Sequence, residues 1–337
     1  MANRTGVRLM LHRAAEINAS ASSEKFYVPF FPPTPADMWF WAIRWVIFII
    51  TAVGNGLVIH LIMSRTRLRV TQNFYVLSLA IADLFVVVGV TPPEFACSVW
   101  YNCNRWPLKV VYDMAIYSSV FNLCGMTLDR YIAICHPMKY HIFTQKRTIG
   151  LIIGTSWGLA ILTPLPYYFC LLKGKYTAFR YLQMMIRFFF DILPFFILII
   201  AYLKMLYVAR KQKRQVQHQR SQLSHNYDME RGSPKPKLRQ TSSVRVIGSV
   251  IMVFVACYTI AAYKGWVNYV QFREVPDQVI AVARILYHVN SAANCVVYAL
   301  FKSDIRRELK RLFRFHVNDT LASSNGISVA LVERVNK

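Results

Sequence analysis

Acidic residues are scarce in this chain: 16 Asp and Glu stand against 40 Lys and Arg. Charge of either sign is low for a water-soluble domain, at 17% of 337 residues, while 55% are hydrophobic. A net charge of +24 suggests nucleic acid. The placement of the cations excludes it, because Lys and Arg are confined to short segments between apolar blocks. No run alternates polar and apolar residues as a barrel strand does, which excludes a transmembrane β-barrel. No internal repeat or broken helix suggests a transporter. No His-x-x-x-His or Cys-x-x-Cys falls within an apolar block, so a metal-dependent membrane enzyme has no ligands there. Residues 1–37 contain no apolar core of a signal peptide, so the first apolar block would itself direct insertion. Seven cysteines are too few for a disulfide framework, and an odd count leaves one unpaired within the chain.

What the chain does have is seven apolar blocks: 38–63, 74–99, 107–135, 149–169, 183–208, 244–270 and 278–301. Each is long enough for a helix to span a bilayer, which takes roughly 20 residues. In lipid an isolated segment satisfies its backbone only as a helix. The expected fold is an all-α bundle of seven transmembrane helices over 38–301. Cations follow the first block (Arg65, Arg67, Arg69), the third (Lys139, Lys146, Arg147), the fifth (Arg210, Lys211, Lys213, Arg214) and the seventh (Arg306, Arg307, Lys310, Arg311). With seven spans all four segments share one side, the cytoplasm by the positive-inside rule. The N-terminal tail is then extracellular, with glycosylation sequons at Asn3 and Asn18. Residues 211–243 read as a polar, basic third cytoplasmic loop. In 302–315, Ile305, Leu309, Leu312 and Phe313 fall on one face of an amphipathic helix suited to the lipid surface. Residues 316–337 form a cytoplasmic tail.

Polar residues at membrane depth are costly and need a partner or a purpose. Asp83 lies about ten residues into the second block, or ~15 Å. Asn55, Ser119, Asn122, Asn290, Ser291, Asn294 and Tyr298 lie in the other blocks. Those of the seventh block share one helical stripe. Facing inward, they enclose a polar cavity. A carboxylate with several neutral oxygens suits a small hard cation or a proton. A hydrogen-bonded packing network without an ion fits the same residues.

Taken together, the sequence resembles the rhodopsin-like (class A) G-protein-coupled receptors over all seven blocks. The resemblance rests on Gly54-Asn55, Leu79-Ala80-Ile81-Ala82-Asp83, and the run from Asp129-Arg130-Tyr131 to His136-Pro137. It continues through Trp157, Pro194, Tyr202, Phe254, Cys257, Asn290-Ser291 and Asn294 to Tyr298. It implies a receptor that binds an extracellular ligand at the plasma membrane and activates a heterotrimeric G protein. Asp83, Ser119, Asn290, Ser291 and Asn294 match an allosteric sodium site. Arg130 matches the residue that meets the G protein, with Asp129 holding it at rest. Tyr131 completes that motif, Tyr202 and Tyr298 support the active arrangement, and Met138 offers the G protein an apolar contact. A disulfide is implied between Cys170 and the top of the third helix, with Cys103 as partner and Cys97 as the alternative. Thr241, Ser242, Ser243, Thr320, Ser323 and Ser324 are candidate phosphate acceptors for a receptor kinase and arrestin.

Several positions depart from the family pattern. Tyr258 replaces a tryptophan after Cys257, Ile260 replaces a proline, and Cys295 replaces the proline after Asn294. Both helices should bend less. The sixth block offers Arg130 no carboxylate. Raised basal signalling is one expectation, and packing elsewhere that restores the resting state is the other. His288 stands where opsins carry the Schiff-base lysine, so no retinal is expected. Tyr112 stands where amine receptors carry an aspartate, and Asp113 beside it points about 100° away. Amine-type and olfactory-type chemoreceptors remain alternatives of the same fold. The candidate ligand pocket is Glu94, Tyr112, Asp113, Arg187, Tyr258, Arg284 and His288. Its arginines suit an acidic group on a peptide or small organic acid. Arg187 pairing with Asp191 one turn on is the competing reading.

Overall fold

In the computed structural model the described residues are 38–99, 105–226, 239–269 and 275–312. Among these there is no strand. The long helices are α1 (Met38–Ser64), α2 (Thr71–Val99), α3 (Arg105–Cys135) and α4 (Lys146–Leu162). Next come α5, α6 (Arg239–Tyr269) and α7 (Asp277–Phe301). The helix α8 covers residues 303–312. In α5, Tyr176–Arg187 joins Leu193–Asn226 through a π-helical turn, Phe188–Ile192. That turn lies directly before Pro194, whose missing N–H already breaks the regular ladder. The pairs α1–α2, α2–α3, α3–α4, α3–α5, α5–α6 and α6–α7 are in contact, and α7 returns to α1 to close the bundle.

Six of these helices are long and apolar enough to cross a membrane. The exception is α3, which carries Asp113, Ser118, Ser119 and Asn122 along its middle, all of them buried. It touches α2, α4, α5 and α6, so it needs little lipid-facing surface of its own. The distribution elsewhere inverts that of a water-soluble protein. Ile49, Ile50 and Val53 of α1, Val88 of α2 and Ile200 of α5 face outward, while Asn55, Asp83, Glu94 and Asn294 are sealed inside. A bilayer favours both halves of that arrangement.

Two expectations change. The loop expected over 211–243 is helical up to Asn226 and again from Arg239. Apolarity ends near 208, but 209–226 contains no Gly or Pro and is rich in Gln, Lys and Arg, which sustain a helix in water. The bridge expected from Cys103 to Cys170 is not formed, since Cys170 carries a free thiol and Cys97 is the described half-cystine. The reason is geometric. Cys170 sits in a short helix, Leu165–Leu172, that prolongs α4, and only Lys173–Lys175 separate it from α5. Gly174, at φ 65°, makes the turn in the left-handed region. No loop is left there to carry a cysteine across to α3. Cys103, Asn3, Asn18 and the tail beyond 312 lie outside the described residues. So do the side chains of Asp191 and of 239–245.

Cys295, the residue in place of proline, has a packing partner. A Cβ built on Gly54 of α1 would lie 2.3 Å from its Sγ. The two helices therefore meet where one side chain is absent. Gly54→Ala should destabilise the protein by about 1–3 kcal/mol through overpacking. Cys295→Ala should recover much of that loss when the two are combined. Thermal unfolding of the single and double variants measures this, and a double variant no more stable than Gly54→Ala would count against the contact.

Candidate functional site

The end of the bundle remote from Asp129 holds two buried carboxylates, each shared between cations. Glu94 of α2 accepts from Arg44 of α1 at 2.8 Å, and Arg284 of α7 lies 3.7 Å away. Arg44 also donates to Thr91 at 3.0 Å. Both Arg44 and Glu94 are fully shielded. Asp113 of α3 faces the other way. It accepts from Lys109 one turn back at 2.6 Å, from Arg187 of α5 at 3.3 Å, and from the Tyr167 hydroxyl. Lys264 of α6 lies within the electrostatic reach of Lys109, Asp113, Arg187 and Arg284. Beneath them runs an aromatic column. Phe254 stacks on Tyr258 at 4.1 Å, Tyr258 meets Tyr287 edge-on at 4.9 Å, and Tyr287 reaches Tyr112 at 6.3 Å. Tyr112 also contacts His288 and the Arg284 guanidinium. His288 Nδ1 lies 2.9 Å from the Arg284 carbonyl.

At mid-depth Asp83 accepts from Ser119 at 3.0 Å and Asn294 at 2.9 Å, with Ser291 also within its hydrogen-bond shell. Asn55 donates to the Ser291 carbonyl at 3.3 Å and ties α1 to α7. The amide oxygens of Asn55, Asn290 and Asn294 are buried there with no protein donor. Orphaned oxygens at this depth are costly. Beside a carboxylate they form a donor set of the kind a small hard cation takes. A separate chain runs from Trp157 to Ser78 at 3.0 Å and from Ser78 to Asn122 at 2.5 Å, fastening α4 to α2 and α3.

At the basic end Arg130 bends back onto its neighbour. Its Nε donates to Asp129 at 2.7 Å, and an Nη makes a second bond to the same carboxylate. The Tyr140 hydroxyl, on the short helix Pro137–Phe143, accepts from Arg130 at 3.3 Å. Burial pushes the Tyr140 phenol above its usual range, so it stays protonated. Arg130, Met126, Tyr298 and Lys302 line a cavity of about 80 Å³. Lys302, just past α7, donates to Asn73 of α2 at 2.5 Å. The two tyrosines expected to act in the switch have separate partners. The Tyr202 ring lies against Gly248 of α6, and the Tyr298 hydroxyl lies 3.8 Å from Met126 Sδ. Met138 is 93% exposed on the same short helix.

The sequence model of the 7 transmembrane receptor (rhodopsin family) matches residues 54–298, well over half of the chain. The chain belongs to that family. It is thus a multi-pass membrane protein of that receptor family. The octopamine receptor beta-2R of Drosophila melanogaster is 27% identical over 82% of this chain. The chain spans 62% of that relative's length. Trace amine-associated receptor 8b of Rattus norvegicus is 25% identical over 78% of this chain and 82% of its own. Melatonin receptor type 1A of Gallus gallus is 24% identical over 78% and 77% respectively.

The residues picked from the sequence divide into two sets within the receptor. Glu94, Tyr112, Tyr258, Arg284 and His288 gather on the α7 side of the outer layer. Asp113 and Arg187 gather on the α5 side, where they pair with each other. Four partners escaped the sequence reading. Lys109 carried a signal, since it precedes Asp113 by four residues on one helix. Tyr167, Tyr140 and Lys264 carried none, because their roles come from where other helices lie.

Proposed function

We propose that this receptor sits in the plasma membrane with its N-terminus outside, binds an extracellular ligand bearing an acidic group, and activates a heterotrimeric G protein through the Arg130 end. One observation supports the ligand class above others. Among the described residues the outer layer has four cations in ion pairs, Arg44, Lys109, Arg187 and Arg284, with the Lys264 amine beside them, against two carboxylates, Glu94 and Asp113. A low-dielectric cleft with that imbalance attracts anions. Several relatives are named for amines. An amine needs a carboxylate to pair with, and here each one already serves two cations. A sodium ion on Asp83, with Ser119, Ser291 and the orphaned oxygens of Asn290 and Asn294, acts as an allosteric brake on the same bundle. Phosphorylation by a receptor kinase and arrestin binding complete the cycle at the tail.

Arg284 is a poor probe of the ligand reading, because its loss also strips a partner from buried Glu94. Lys264→Gln is cleaner. Organic acids and acidic peptides, each paired with its neutral amide, can be screened with a G-protein activation readout at low and high sodium. The acid should activate and its amide should be at least about tenfold weaker, the scale of one charge-assisted contact. Lys264→Gln should erase that difference. High sodium should reduce potency in the wild type and not in Asp83→Asn. Activation by amines alone would overturn the acidic-ligand reading.

A further inference from the structure

A groove of about 410 Å³ opens on the flank of the bundle where α1, α7 and α8 meet. Val53, Leu57 and Leu61 of α1, Val296 of α7, and Ile305 and Leu309 of α8 line it. The lining is almost wholly apolar, so the groove offers nothing to water or to a polar ligand. Val53 and Val296 stand at its open side, 65% and 45% exposed, on the outward face of two helices apolar enough to cross a membrane. The close approach of α1 and α7 at Gly54 and Cys295 forms its floor.

The residues that follow its lining along α1 and α8 are charged in one sense, and one of them, Arg306, also donates to the Leu300 carbonyl at 3.1 Å. Arg65 follows Leu61 by one helical turn, its N–H bonded to the Leu61 carbonyl at 3.1 Å. Arg306 and Lys310 follow Ile305 and Leu309 on α8, four residues apart and so side by side. The carboxylates of α8 do not cancel them. Asp304 pairs with Arg307 at 2.9 Å, and Glu308 pairs with Arg311 at 2.7 Å. Among the described residues Arg65, Arg306 and Lys310 have no carboxylate partner. A hydrocarbon slot beneath three uncompensated cations fits an amphiphile with an anionic head. A second copy of this chain fits poorly, because a twofold contact through the groove would bring these cations against their equivalents.

We propose that the α1–α7–α8 groove is a discrete site for an anionic diacyl phospholipid, with one acyl chain in the slot and the head group on Arg65, Arg306 and Lys310. This goes beyond general adhesion of an amphipathic helix, because it fixes one lipid in one place. In a cell that lipid comes from the cytoplasmic leaflet, under the orientation proposed above. The site clamps α8 to α1 beside the α7–α8 junction, where Lys302 reaches Asn73.

The test uses the full chain in nanodiscs of phosphatidylcholine alone or mixed with phosphatidylserine. Both leaflets are then equivalent, so the result does not depend on orientation in the cell. Native mass spectrometry counts retained lipid, and thermal unfolding reads its effect. Phosphatidylserine should be retained in preference and raise the unfolding midpoint. Arg65→Gln, Arg306→Gln and Lys310→Gln should each lower that preference by about fivefold. Val53→Trp and Val296→Trp should lower retention of both lipids by filling the slot. Val88→Trp, equally exposed to lipid on α2, should change neither. Equal retention of the two lipids would overturn the proposal. So would phosphatidylserine retention that survives both tryptophans, or a change of oligomeric state in their place.

Discussion

Glu94→Gln should leave little folded receptor. The carboxylate is fully buried between Arg44 and Arg284, at 2.8 and 3.7 Å. Removing it leaves two guanidinium groups in a low dielectric with no counter-charge. Breaking a buried pair costs about 3–5 kcal/mol, a large part of a typical protein's stability. Two orphaned charges place this site at the upper end. A second pair supplies the control. Glu308 and Arg311 on α8 are just as close, at 2.7 Å, but the arginine is 54% exposed. Glu308→Gln should cost about 1 kcal/mol or less, since water solvates the group left behind. Adding Arg44→Met to Glu94→Gln should restore part of the yield, because it removes one stranded charge. Surface expression and thermal unfolding in detergent measure all three. If Glu94→Gln unfolded like Glu308→Gln, the buried layer would not hold the helices together.

The second large effect concerns the resting state. Arg130 is bonded to Asp129 and Tyr140 and is only 8% exposed. The whole of α6, from Arg239 to Tyr269, contains no Asp or Glu. The carboxylate that holds Arg130 belongs to α3 itself, its neighbour Asp129. Asp129→Asn leaves shape and burial nearly unchanged and removes that charge. Ligand-independent G-protein activation should rise several-fold at equal surface expression, given the strength of a charge-assisted pair. Tyr140→Phe should raise it less, because only the outer hydrogen bond is lost. Arg130→Ala should give no activation with or without ligand. Basal activity that stays flat in Asp129→Asn would place the resting restraint elsewhere, in helix packing rather than in this pair.

The bundle was legible because lipid imposes a simple rule on sequence. Each span needs an unbroken apolar length, and the cations mark one side. The exception is instructive. α3 fails the apolar rule because it is the central helix, and its polar residues face other helices. The Asp83 cluster was legible for a related reason, since polar residues at membrane depth are rare enough to be noticed. Pairings between helices were not. Arg187 bonds Asp113 at 3.3 Å because α3 and α5 are adjacent, a pairing that no sequence spacing announces. Glu94 and Arg284 appeared as separate pocket residues, and the packing of α1 and α7 on α2 joins them. The end of α5 was misread because water, unlike lipid, does not require a helix to be apolar.

The tight turn at Gly174 also has a kinetic meaning. Residues 173–175 reach no more than about 10 Å even when fully extended. That connection cannot fold down over the outer layer or swing aside from it. Gated entry, in which a loop must open before each association and closes to slow each release, is not open to the receptor through this segment. Passage past it is governed by the charge and width of the vestibule between the helices. Residence time then depends on how strongly the cations hold what has entered.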